Sequence, residues 1–257
     1  LMIKLMDLLN EGVNDPGIFK GVFLAGGPGS GKSYVAGQLF GIPDNINVSV
    51  TGLKMVNQDQ ELETMLNKFY GPNSGADSTV DYLNIQAYPP ELFKQLTDPD
   101  FDDYAGLRGS AKYLSKKRMQ GYLKGRLGVI IDGTGHKYKD VKAERQDLLK
   151  LGYDTFMVFV NTSLEIAQER NESRPRQLPA DTVETYWKNV QKNMAVFQGL
   201  FGNANFLLVD NNQHLSPKAA QKKFNMLVRK GISKFLKKPL KNKIAKKWIA
   251  QQKLLKK

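Results

Sequence analysis

Cysteine is absent from the 257 residues. That excludes disulfides, thiolate metal sites and cysteine nucleophiles, and it fits a reducing compartment. Long apolar runs are missing too: no stretch of about 18 apolar residues exists, so nothing reads as a membrane span. Residues 1–12, LMIKLMDLLNEG, hold too short and too interrupted an apolar run for a signal peptide. The expectation is a cytoplasmic protein. Acid is the third absence, and it is local. Residues 211–257 hold 15 Lys and Arg and no Asp or Glu, whereas residues 1–210 hold 23 Lys and Arg against 25 acids. The formal net charge of +13 therefore belongs to the tail. This break divides the chain into a body, 1–212, and a basic extension, 213–257.

What is present is dominated by Gly21 to Ser33, GVFLAGGPGSGKS. The apolar run Val22 to Ala25 enters a glycine-rich turn, and Gly26, Gly31, Lys32 and Ser33 complete G-x-x-x-x-G-K-[ST]. Successive backbone N–H groups of Gly26, Gly27, Pro28, Gly29, Ser30 and Gly31 (all but the proline) can wrap a phosphate, which a Cβ would obstruct. The helix expected from Ser33 to Phe40 points its positive end at the same anion. In this pattern Lys32 reaches the β- and γ-phosphates of ATP and the Ser33 hydroxyl is a Mg²⁺ ligand.

Apolar runs at Leu53–Val56, Gly128–Ile131, Thr155–Val160 and Phe206–Val209 read as further strands. Helical spacing marks 61–70, 110–124, 140–151 and 163–171, and a long helix capped by Asp181 that reaches Phe197 or beyond. A short amphipathic helix is expected over Leu5–Leu9. Residues 71–105, rich in Gly, Pro, Asp and Asn, read as an insertion over the site. Strands that are continuous apolar runs alternating with helices predict an α/β fold: a parallel sheet between two helical layers.

Ligands of such sheets bind beyond the C-terminal strand ends. Asp59 closes the second strand and is the candidate base for an attacking hydroxyl, with a helix N-cap as its plainer role. Asp132 follows Val129-Ile130-Ile131 in the Walker B manner, as a Mg²⁺ contact, a substrate contact or a simple turn residue. Thr134 on the same loop is a candidate substrate contact; His136 is given no role. Arg170, Arg174 and Arg176 can neutralise charge on transferring phosphoryl oxygens, the last two from a lid between helices.

The ordered motifs GGPGSGKS, VNQD, VIIDGTG and ERNESRPRQLP resemble those of zeta-toxin-like and polynucleotide-kinase-like P-loop kinases over about residues 18–212. The resemblance implies a three-layer P-loop NTPase fold of kinase type and ATP- and Mg²⁺-dependent phosphorylation of a hydroxyl. The acceptor would be a polynucleotide 5′-OH or, alternatively, a nucleotide sugar. It further implies Lys32 and Ser33 at phosphate and Mg²⁺, Asp59 as base, Asp132 and Thr134 at the acceptor, and Arg170, Arg174 and Arg176 at the lid. A different class of reading is a non-catalytic, ATP-gated binding module.

The tail interleaves its lysines with Phe224, Leu227, Ile232, Phe235, Leu240, Ile244, Trp248, Ile249 and Leu254, and Pro239 divides it into two expected helices. Nucleic acid, an anionic membrane surface and packing on the body or a partner compete as its use. Lys112, Lys116, Lys117 and Arg118 form a second basic cluster.

Overall fold

The computed structural model describes residues 13–15, 17–42, 47–70, 106–174, 177–213 and 215–255. The expected helix at Leu5–Leu9, the insertion at 71–105 and Arg176 lie outside the described residues. Five parallel strands form one sheet in the order β2-β3-β1-β4-β5. They are β1 (Lys20–Ala25), β2 (Lys54–Asn57), β3 (Val129–Asp132), β4 (Asp154–Asn161) and β5 (Phe206–Asp210). Every residue of β1 is buried, as its unbroken apolar run requires of a central strand covered on both faces. The expected three-layer α/β fold is the observed one.

The two-residue period of a strand sorts the core. On one face Val22, Leu24, Ile130, Phe156, Val158 and Val160 pack against Val35, Ala36, Leu39 and Phe40 of α1 (Lys32–Phe40). On the other, Phe23, Ala25, Val129, Met157 and Phe159 meet α4 (Tyr138–Lys150) through Leu148 and α6 (Ala180–Phe201) through Val190, Phe197 and Phe201. A smaller cluster of Leu62, Leu66, Leu107 and Ala111 joins α2 (Gln58–Tyr70) to α3 (Gly106–Lys124). Between α4 and α6 in sequence, α5 (Leu164–Glu172) is capped by Ser163 Oγ, which accepts from the Ile166 N–H. Phe69, near the end of α2, is 45% exposed. Asp181 does not cap α6: Pro179 occupies that position, and the Asp181 carboxylate accepts from Thr182 within the first turn.

The tail is not a free appendage. Helix α7 (Pro217–Leu227), a π-helical turn (Val228–Ile232) and α8 (Ser233–Lys237) bury Ala220, Phe224, Ile232 and Phe235 in the first face of the core. The chain then breaks around Pro239, and α9 (Lys243–Leu255) places Ala245 in the opposite face. The crossing runs under the N-terminal edge of the sheet. There Lys20 Nζ, at the start of β1, donates to both Asp154 Oδ2 and the Lys238 carbonyl, each at 2.8 Å. Trp248 meets Phe19 edge-on at 5.5 Å.

Candidate functional site

The glycine-rich turn joins β1 to α1 at the C-terminal edge of the sheet, opposite that crossing. Gly29 and Gly31 have φ of +73° and +79°, and a Cβ on Gly29 would lie 1.9 Å from the Ala167 carbonyl oxygen. Both the left-handed backbone and the close approach of α5 therefore require glycine there. Gly31 is the N-cap of α1, so the helix opens directly onto the turn. Lys32 Nζ spans the loop and donates to the Gly26 carbonyl at 2.8 Å. Ser33 is exposed in the first turn of α1.

Three elements brace the loop from outside. The Gly26 N–H donates to the Thr134 carbonyl at 3.1 Å, which ties the loop after β3 to the turn. Asn211, buried just past β5, donates its Nδ2 to the Ser30 carbonyl at 2.9 Å while its own N–H bonds Asn161. Trp187 of α6 lies against Gly27 and donates its indole N–H to Thr162 O. Asn211 escaped the sequence reading, because an asparagine after a strand has the composition of any turn.

Three polar atoms around this loop are buried without a partner among the described residues: Ser30 Oγ, Arg170 Nη1 and Asp132 Oδ1. Folded proteins keep few such atoms, since each costs about 1–3 kcal/mol. Arg170 Nη1 sits 3.6 Å from where a Cβ on Gly31 would be, so the guanidinium from α5 borders the turn. Two donors and one acceptor therefore converge where phosphate oxygens and their counter-charge are expected.

The two candidate acids meet through a residue that the sequence did not single out. Asn57 and Asp132 are register partners at the ends of β2 and β3. Asn57 Nδ2 donates to Asp132 Oδ2 at 2.8 Å, and Asn57 Oδ1 accepts from the N–H groups of Asp59 and Gln60. Asn57, not Asp59, thus caps α2, and Asp59 stands exposed in the first helical turn. Asp132 is partly exposed as a residue, yet its Oδ1 is sealed off. Burial pushes its carboxyl above the usual carboxylate range, Asp59 adds to the rise, and Lys32 and Arg174 oppose it. Lys32, Asp59 and Arg174 thus each lie near enough to act on Asp132.

Arg174 is exposed just beyond α5. Its loop is clamped by the buried Asn171, whose Nδ2 donates to Leu178 O and whose Oδ1 accepts from the Leu178 N–H, at 2.8 and 3.0 Å. Thr134 Oγ1 bonds His136 Nδ1, and the His136 ring stacks on Tyr186 at 4.6 Å. Burial and Lys137 hold that imidazole below its ordinary pKa, against Asp140. In the second basic cluster, Arg118 pairs with Glu61 and Lys117 lies over Tyr113, so part of that charge is spent inside the body.

Among the described residues no group of three or more His, Asp or Glu side chains could hold a metal ion by itself. Mg²⁺ in phosphoryl-transfer sites takes one or two protein oxygens and completes its shell with water and substrate phosphates. The Ser33 hydroxyl and the unpartnered Asp132 Oδ1 suit that donor set.

Comparison with known proteins bears on the fold. No curated protein matches the sequence. Among solved structures, AvrRxo1-ORF1:-ORF2 with ATP is similar at 13% identity and a TM-score of 0.50, over 79% of this chain and 61% of that one. The Pnkp1/Rnl/Hen1 RNA repair complex is similar at 18% identity and a TM-score of 0.43, over 69% of this chain and 46% of that one. Shikimate kinase from Bacteroides thetaiotaomicron is similar at 14% identity and a TM-score of 0.44, over 81% and 96%. The chain thus spans about half the length of the repair-complex protein it matches. A family model described as an AAA domain, AAA_33, covers residues 22–197, from within β1 to the last turns of α6, and the chain belongs to that family, with its P-loop kinase-like fold.

Proposed function

We propose that this chain transfers the γ-phosphoryl group of Mg²⁺-ATP to a hydroxyl of a polynucleotide, the 5′-OH first. The P-loop kinase-like fold itself suggests a nucleotide-dependent phosphotransferase. The observation that carries the reading further is that Ser30 Oγ, Arg170 Nη1 and Asp132 Oδ1 are buried around the turn without a partner among the described residues, with Lys32, Asp59 and Arg174 near enough to act on Asp132. The similar AvrRxo1-ORF1:-ORF2 structure holds ATP, which supports ATP as donor here. The acceptor rests on charge: a tail with 15 basic residues and no acid is built for a polyanion.

In this reading Lys32, Arg170 and the backbone N–H groups of the glycine-rich turn hold the phosphates, and Arg174 faces the charge that spreads over the transferring group. Asp59 orients the acceptor hydroxyl and takes its proton. The acceptor oxygen forms the new P–O bond as the bond to the leaving ADP breaks. Asn57 fixes Asp132, and Asp132 with Thr134 positions the acceptor. Ser33 and Asp132 would be the protein-side oxygens for Mg²⁺, which would supply charge neutralisation when bound with the nucleotide.

The test is γ-labelled ATP with a 5′-OH oligonucleotide, a UDP-linked amino sugar and a nucleoside side by side. Label on the oligonucleotide, weakened by salt, is the expected result. Label on the sugar instead moves the protein to the nucleotide-sugar alternative. ATP binding without transfer to any acceptor favours a nucleotide-gated binding module.

A further inference from the structure

The fold splits the basic tail between two ends of the molecule. Helix α9 lies at the N-terminal edge of the sheet: Trp248 touches Phe19, and the backbone at Ala245 and Ile244 approaches Gly152, which precede β1 and β4. The glycine-rich turn begins at Gly26, after the six residues of β1. At ~3.3 Å per strand residue the two are separated by about 20 Å.

Around α9 the side chains of Lys237, Lys238, Lys241, Lys243, Lys246 and Lys247 are all exposed, with no acid in that segment. Such clustered like charge repels itself and is relieved by a polyanion. A membrane surface needs a free apolar face on the helix. Here Ala245, Trp248 and Ile249 already pack against the core, and the exposed apolar residues of α9, Ile244 and the terminal pair Leu254 and Leu255, stand about three helical turns apart rather than forming one continuous face. Trp248 is edge-on against Phe19, so no tryptophan is offered for base stacking. What remains is recognition of backbone phosphates.

We propose that α9 and the Lys237–Lys241 crossing form a distal anchor for the same polynucleotide whose end is phosphorylated at the glycine-rich turn. This rests on the polynucleotide reading of the acceptor and adds a length rule to it. With stacked nucleotides ~3.4 Å apart along a strand, about six are needed to reach from one site to the other, and more if the strand follows the surface. Acceptors shorter than that engage the catalytic end alone.

The experiment measures kcat/KM for 5′-OH oligonucleotides of one composition from about three to about twenty nucleotides. The wild type is compared with Lys243→Glu/Lys246→Glu/Lys247→Glu and with the three-arginine variant at the same positions. A rise on the order of tenfold once the strand passes about six to ten nucleotides is expected, carried by KM. The glutamate variant flattens that rise and the arginine variant keeps it. Three lost phosphate contacts also lower the slope of log affinity against log salt by about two. Phosphorylation of all lengths with equal kcat/KM, or an unchanged rise in the glutamate variant, overturns the anchor and leaves the acceptor reading standing. A 20-mer that binds in a salt-sensitive, Lys243/Lys246/Lys247-dependent way but is never phosphorylated keeps the anchor surface and overturns the acceptor reading. Binding to phosphatidylserine-containing vesicles through these lysines, with none to the 20-mer, overturns the proposal in favour of a membrane surface.

Discussion

Asp59 and Asp132 share a neighbour but not an environment, and the difference predicts different behaviour. Asp59 is exposed in the first turn of α2. Asp59→Asn keeps the shape and removes the base, so kcat is expected to fall by about 10²–10⁴ with little change in KM for ATP or in melting temperature. Near-normal turnover in that variant would remove Asp59 from the role. Asp132 is different because burial raises its pKa. The unfolded chain releases this proton at a lower pH than the folded one. The group therefore costs stability above its unfolded pKa of about 3.9, increasingly until pH passes the folded value. Asn cannot ionise and can still accept from Asn57. Asp132→Asn is accordingly expected to melt higher than wild type at neutral pH, to lose that advantage near pH 3, and to transfer phosphate more slowly. Equal melting curves at both pH values would show that the carboxylate is not penalised by its site.

Among the elements, the glycine-rich turn was legible because its chemistry demands residue types that few other structures need. The positive φ at Gly29 and Gly31 and the crowding by Ala167 are the physical content of that pattern. The five strands were legible for a related reason: strands buried on both faces need unbroken apolar runs. What the sequence did not disclose are the braces. Asn57 and Asn211 act across 75 and 181 positions of chain, and an amide side chain carries no periodic or spacing signal. Asp181 misled because its residue type suits a cap, while Pro179 two residues earlier set the helix start. Asn211 is also open to test. Asn211→Ala leaves the Ser30 carbonyl without this donor in a buried position, at a cost of about 1–3 kcal/mol. Because the loss falls on the loop, KM for ATP is expected to rise roughly tenfold while kcat at saturation changes less. A lower melting temperature with unchanged KM would make Asn211 a fold residue without influence on the nucleotide.

The whole molecule behaves as one body in which the tail closes both sides of the sheet. A composition boundary at residue 212 invites removal of everything beyond it. The core argues that the remainder will not survive as a native fold. Phe224, Ile232 and Phe235 are almost fully buried against β1 and β4, and Ala245 and Trp248 cover Phe19 on the other face. Burying each large side chain contributes about 1.5–3 kcal/mol, so the first three alone approach the 5–15 kcal/mol that stabilises an ordinary domain. Deletion also takes the Lys238 carbonyl from Lys20, whose side chain is only 3% exposed and then keeps Asp154 alone as partner. Residues 1–212 are therefore expected to lose cooperative thermal unfolding and to aggregate, so loss of activity on deletion says nothing about substrate delivery. Charge reversal at exposed tail lysines spares these contacts, and is expected to keep the melting temperature within a few degrees. A truncated chain that still melted cooperatively near the full-length temperature would show that the tail only rests on the sheet, and that the composition boundary is also a structural one.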